Sequence, residues 1–270
     1  MATYAHKDGA YAALIGILGN TGYIIPLGDT EYENGDRTEV ETVGAAFGGT
    51  STTYTYTYSS AITSWGTAPT ETNLVPIVYP SADGGETPDA DAHSHPGSAF
   101  SEGIWVKWDG SNAIHLIYRH ASSYREFGFR IGTDGKGFLY LQDASSGGEI
   151  YTIQDAALTS GEWTHIIMTA DGTADATGLN IYKNGAVVAS TDADGAAFVA
   201  LENLGNVTGI LYNTTGGYST GTVGGGPAGP FTTSKEMTAQ ECSDYFDAIN
   251  IGGVPGYAMS GASKKIVMVS

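Results

Sequence analysis

The stretch GEWTHIIMTADG, Gly161 to Gly172, and the one that soon follows it, GLNIYKNGAVVAS, Gly178 to Ser190, decide the fold. Each is a short run of bulky residues bounded by glycine, with apolar side chains on both faces. That pattern reads as two strands rather than helices. The second run contains Lys183-Asn184-Gly185-Ala186. Asn-Gly supplies the positive φ angles that a two-residue hairpin turn needs, so a hairpin is predicted there.

The same signals recur on either side. EGIWVKWDG (Glu102–Gly110), AIHLIYRH, EFGFRIGTDGKGFLYLQD with an Asp134-Gly135 turn, and EIYTIQD all read as strands. Strands at a spacing of about 8 to 15 residues with turns between them predict an antiparallel sandwich and not βαβ units. One helix stands out, TAQECSDYFDAIN. Thr238 and Glu241 have capping-box spacing, and Cys242, Tyr245, Phe246 and Ile249 form one apolar stripe. The terminal KKIVMVS reads as a last strand.

Upstream, RTEVETVGAAF alternates as a strand does. TSTTYTYTYSS is stricter, with Tyr54, Tyr56 and Tyr58 on one face, a ladder that either stacks on sugars or packs against a neighbouring sheet or subunit. In YAALIGILGNTGYIIPLGD, glycines at 16, 19 and 22 argue against a long helix, and a strand at Gly22–Leu27 is expected instead. Pro80 to Phe100, rich in proline, glycine and acids, reads as a linker. The expected organisation is a β-rich anchoring and assembly region over 1–90, ending in that linker, and a sandwich domain over 91–270.

Composition excludes several classes. The chain has 270 residues, with 29 acids against 11 Lys plus Arg and a net charge of −18. Nucleic acid needs a basic patch that so few cations hardly supply. One cysteine, Cys242, rules out an internal disulfide framework or a thiolate metal cluster, and reads as a small buried hydrophobe. No apolar run approaches the ~18 residues needed to span a bilayer, so no membrane insertion is expected. AYAALIGILG (Ala10–Gly19) has a nearly neutral flank and no A-x-A site after it, so a chain not exported by the usual route is expected.

The order FSEGIWVKWDG, FGFRIGTDGKGFLYLQD, SGEWTHIIMTADG, GLNIYKNGAVVAS and then the TSKEMTAQECSDYF helix resembles the concanavalin A-like, laminin G-type jelly roll over about Ala99 to Ser270. The resemblance implies an all-β antiparallel jelly-roll β-sandwich with one short helix near its C-terminal end. It also implies that the Trp163–His165 strand packs the core, with His165 a hydrogen-bonded interior side chain. Relatives of this kind bind glycans or calcium, hydrolyse glycosides, or only supply an adhesive module.

Asp89, Asp91, His93 and His95 alternate, so an extended backbone puts them on one side as a possible set of metal ligands; a solvated linker is the competing reading. Asp171 with Asp175, and Asp192 with Asp194, offer oxygen ligands for calcium in acidic turns that are otherwise simply hydrated. Trp65, Trp108, Tyr118 and Tyr124 are the aromatics expected to line a sugar groove. Glu39 and Glu41 have the spacing of a glycosidase pair but lie outside the resembling region and lack flanking aromatics, so no catalytic residue and no enzyme is expected.

The resemblance points to extracellular surfaces, while the sequence shows neither export signal nor disulfides. Bacteriophage virion proteins fold in the host cytoplasm and act outside it. The expected function is therefore a non-enzymatic virion component, a head decoration or a tail or fibre adhesin. Its expected partners are other virion proteins, copies of itself and surface glycans, with no nucleic acid. The alternative is a carbohydrate-binding, calcium-dependent module of a cell-surface or secreted protein. A glycoside hydrolase comes third.

Overall fold

The structure, a computed structural model, describes residues 4–25, 39–41, 43–44, 55–58, 77–79, 85–87, 95, 97–121, 124–195, 197–204, 208–210, 212–213, 217–218, 221–224 and 229–249. The chain opens with helix α1 (Tyr4–Leu18), then strands β1 (Tyr23–Ile24), β2 (Glu39–Glu41), β3 (Val43–Gly44), β4 (Thr55–Tyr58), β5 (Ile77–Tyr79) and β6 (Gly85–Thr87). The long strands follow: β7 (Phe100–Lys107), β8 (Ile114–Ala121), β9 (Tyr124–Ile131), β10 (Gly137–Asp143), β11 (Gly148–Gln154), β12 (Trp163–Ala170) and β13 (Leu179–Lys183). After these come β14 (Ala186–Val187), β15 (Ser190–Asp194), β16 (Thr208–Ile210), β17 (Tyr212–Asn213), β18 (Gly217–Tyr218), β19 (Gly221–Val223), β20 (Phe231–Thr233) and helix α2 (Ala239–Ile249).

The fold is the expected antiparallel sandwich. One sheet, A, runs β14-β13-β12-β7-β20-β1-β3, with β19 and β5 attached beside β7. The other, B, runs β15-β11-β10-β9-β8-β16-β6-β4-β2. Period-two burial along β10 and β11 shows why they pair as they do. Leu139, Leu141 and Ile150 point inward and the intervening residues outward. Between the sheets lies a core of Phe100, Ile104 and Val106 from sheet A against Phe127, Phe129 and Ile131 from sheet B, among others. The hairpin between β13 and β14 turns through Asn184 at φ 52° and Gly185 at φ 80°, as the Asn-Gly pair predicts.

A second core fills the outer side of sheet A. Trp105, Ile167, Tyr182 and Phe231 meet Tyr11, Leu14 and Leu18 of α1 and Cys242 and Tyr245 of α2. The capping box on α2 forms as read: the Glu241 amide donates to Thr238 Oγ1, and the Thr238 amide donates to the Glu241 carboxylate.

Helix α1, 15 residues long, corrects the expectation that glycines argue against a long helix here. A glycine costs about 1 kcal/mol in a helix. Burial of Tyr11, Leu14 and Leu18, at i, i+3 and i+7, outweighs that. The helix end is held by tertiary donors, Thr233 Oγ1 to Leu18 O at 2.8 Å and Lys235 Nζ to Ile17 O at 2.7 Å.

Strands from the first ninety residues enter both sheets: β1 pairs with β20, and β6 pairs with β16. The expected boundary at residue 90 and the expected last strand in KKIVMVS lie outside the described residues. No helix among the described residues is long and apolar enough to cross a membrane.

Candidate functional site

With two helices over sheet A, the outer face of sheet B is the broad sheet surface left without a helix among the described residues. Its register sets what it presents. His115 pairs with Arg130, Arg130 with Phe138, Phe138 with Ile153 and Ile153 with Thr191, forming one row across four neighbouring strands and the edge strand β15. The next row is Tyr118, Gly128, Tyr140, Tyr151 and Ala193.

The rings in these rows touch. Phe138 lies 5.6 Å from Tyr140 and 5.5 Å from Tyr151, centroid to centroid. Tyr118 meets Tyr140 edge-on at 5.8 Å, and His115 meets Tyr118 edge-on at 5.1 Å. The Arg130 guanidinium sits over Phe138, 4.6 Å from its centroid. Tyr118 and Tyr140 are buried, whereas His115, Arg130, Phe138, Tyr151 and Ile153 are half-buried. Gly128 makes the arrangement fit. A Cβ there would stand 2.5 Å from both Tyr118 and Tyr140, so only glycine lets the two rings close over the strand. The result is an aromatic plate with one cation and polar edges, suited to the apolar face of a sugar ring.

The expected groove residues are not gathered into one site. Trp108 is an interior side chain, 7% exposed, whose indole N–H donates to Asn112 O. Tyr118 belongs to the plate but lies beneath it, 4% exposed. Trp65 and the side chain of Tyr124 lie outside the described residues. The rings the sequence reading missed, Phe138, Tyr140 and Tyr151, carry a signal that was present: alternation in GFLYLQD and EIYTIQ puts an aromatic on the outward phase of two adjacent strands.

Asp89, Asp91 and His93 lie outside the described residues. His95 is buried and stacked flat on Phe100 at 4.6 Å, with Nε2 3.3 Å from Thr232 Oγ1 and Nδ1 3.4 Å from Ser234 Oγ. Among the described residues no three His, Cys, Asp or Glu side chains converge as metal ligands. The calcium candidates are engaged locally. Asp171 accepts from the Thr173 amide, Asp175 from the Thr177 amide, Asp192 from Thr152 Oγ1 and Asp194 from the Ala176 amide. Glu39 and Glu41 lie on β2 at the far edge of sheet B, with side chains outside the described residues.

Polar groups are also sealed inside the sandwich. Arg119 and Glu126 form a fully buried ion pair. Glu126 is set in the irregularity where the register passes from Arg119↔Phe127 to His120↔Arg125. The Leu204 amide donates to its second oxygen. Across the core, Glu102 of β7 accepts from Thr232 Oγ1 at 3.4 Å and faces His95 Nε2 at 4.0 Å, while its other oxygen has no hydrogen-bond partner. Burial pushes this carboxyl up to about 8, against the opposing effects of the Thr232 hydrogen bond and the Arg119 charge. His165 is interior as the resemblance implied, but its ring is stacked on Tyr245 at 5.5 Å and its Nδ1 has no hydrogen-bond partner. Burial lowers its pKa to about 3, which keeps it neutral.

A family model described as the concanavalin A-like lectin/glucanases superfamily matches residues 81–231. No curated protein matches the sequence. Among solved structures, the chain is similar to the binding domain of botulinum neurotoxin DC in complex with SialylT, with a TM-score of 0.56 at 11% identity over 86% of this chain and 52% of that one. It is similar to the botulinum neurotoxin serotype D binding domain, with a TM-score of 0.55 at 13% identity over 84% and 52%. A structure concerned with botulinum neurotoxin type C and its interaction with two ganglioside molecules gives 0.54 at 10% identity over 84% and 51%. The chain spans about half the length of these structures. At such identities the likeness is one of fold.

Proposed function

The chain belongs to the concanavalin A-like lectin/glucanases superfamily, and from that premise we propose that it is a non-enzymatic, lectin-like binding module that takes surface glycans on the outer face of sheet B. The observation that carries this reading is the run of ring contacts from His115 through Tyr118, Tyr140 and Phe138 to Tyr151, on the sheet face that no described helix covers. Aromatic faces with a polar rim bind the C–H face of a pyranose, and the acidic chain repels the nucleic acids that also stack on rings. Botulinum neurotoxin type C, a protein of similar fold, is associated with two ganglioside molecules, which fits a sugar ligand.

The setting we propose is a virion, assembled in the host cytoplasm, where the module serves as a head decoration or a tail or fibre adhesin in repeated copies. A sandwich whose lone thiol is buried needs no oxidising compartment to fold, which supports assembly in a reducing cytoplasm.

A glycan array probed with the full chain tests the binding. Saturable binding that Phe138→Ala weakens is expected, and no binding to any class of glycan would end the reading. Repeating the array with a chelator separates a cation-dependent site from the aromatic face. Antibody labelling of intact particles tests the setting, with surface label expected and its absence counting against it.

A further inference from the structure

We propose that the ligand of this face is a carboxylated oligosaccharide, one bearing a uronic or nonulosonic acid, and that Arg130 is the residue that selects it. The inference rests on the glycan-binding reading above and adds the chemical class of the sugar.

The chain carries 29 acids and only 11 Lys plus Arg, so a cation held on a ligand face without an acid beside it is out of keeping with the rest. Among the described residues the Arg and Lys ion pairs are Arg119–Glu126 and Lys235–Glu241, and Arg130 has none. Its guanidinium is fixed over the Phe138 ring, which flattens and orients its donor edge. Its Nε is buried and lacks a hydrogen-bond partner. A ligand on this face therefore meets the two terminal nitrogens of the guanidinium, not the buried Nε. His115 stands next to it in register on one side. On the other side is Phe138, and beyond it Ile153.

The acceptor that fits is planar and anionic. A carboxylate takes two parallel N–H bonds from a guanidinium, and a sugar carries its carboxylate at the ring edge. A pyranose seated on Phe138 and Tyr151 would bring such a group alongside Arg130. A neutral sugar offers only hydroxyl and ring oxygens, uncharged acceptors that make weaker bonds. A charge-assisted bidentate pair discriminates by about ten- to a hundredfold over the neutral partner.

The test uses the full chain and matched probes in isothermal titration: 3′-sialyllactose against lactose, and tri-galacturonate against galactotriose. At least one acidic probe is expected to bind at least tenfold tighter than its neutral match, and the arm that does so distinguishes a nonulosonic from a uronic acid. Arg130→Gln is expected to abolish that preference, and Arg130→Lys to restore part of it. Near-ultraviolet circular dichroism of each variant confirms that the fold is kept. Equal binding of acidic and neutral probes, or a preference that survives Arg130→Gln, would overturn the assignment while leaving glycan binding intact. Binding of none of the four probes overturns the assignment, and the glycan array then decides the binding reading by itself.

Discussion

Replacing Glu102 by glutamine is expected to flatten the pH dependence of stability. The carboxyl is 2% exposed, it holds one weak hydrogen bond, from Thr232, and its second oxygen has no partner. Arg119, whose charge acts to lower it, is already joined to Glu126. Burial therefore dominates, and the group ionises at about 8 in the fold against 4.5 in the open chain. Between those values the folded state holds a proton that the unfolded state has released. Stability is then fully present below pH 4.5, falls as pH rises, and levels off above about 8. Each pH unit inside the window is worth about 1.4 kcal/mol, so the step from pH 5 to pH 7 lowers wild-type stability by about 3 kcal/mol through this group. Glutamine keeps the shape and has nothing to ionise. Urea unfolding of both proteins at pH 5 and pH 7 reads the difference, and Glu102→Gln should gain about 3 kcal/mol relative to wild type over that interval. Parallel pH curves, or a variant that loses ground as pH rises, would mean that Glu102 is charged in the core and bound to Arg119, and the reasoning would fail.

Other outcomes follow from the same geometry. Gly128→Ala places a methyl group 2.5 Å from Tyr118 and Tyr140, and is expected to lower stability by about 1–3 kcal/mol and to weaken glycan binding by displacing the plate, as thermal unfolding and titration would show. Cys242 is buried and its thiol is pushed up to about 12, by burial first and by Glu241 and Glu236 second. Ellman's reagent should therefore label it only in denaturant, and reaction in the folded protein at pH 8 would contradict its placement on the buried face of α2.

Much of the sandwich was readable because its signals are local. Asn184-Gly185 dictates its own turn, and the Thr238–Glu241 pair caps its own helix. Helix α1 was not readable for the opposite reason. Its glycines argue against it locally, and what holds it is Trp105, Phe231 and Tyr245, side chains far along the chain. The binding face falls between these cases. Alternation gives the outward phase of each strand, but which strands lie side by side, and hence that Arg130 meets Phe138, comes from pairing between separate segments. Trp108 shows the limit of residue type as a guide. A tryptophan looks like a sugar platform in sequence, and here the turn at Gly135 lies across its ring.

The end of α1 is fastened by Thr233 and Lys235, partners 215 and 218 residues away. A ribosome adding about 5–20 residues per second leaves Tyr11, Leu14 and Leu18 waiting on the order of ten seconds or more for the strand and helix they dock against. For that time the nascent chain carries these apolar side chains without the surfaces that bury them. Its seating is among the last events of folding, closing the molecule only after β20 and α2 have left the exit tunnel.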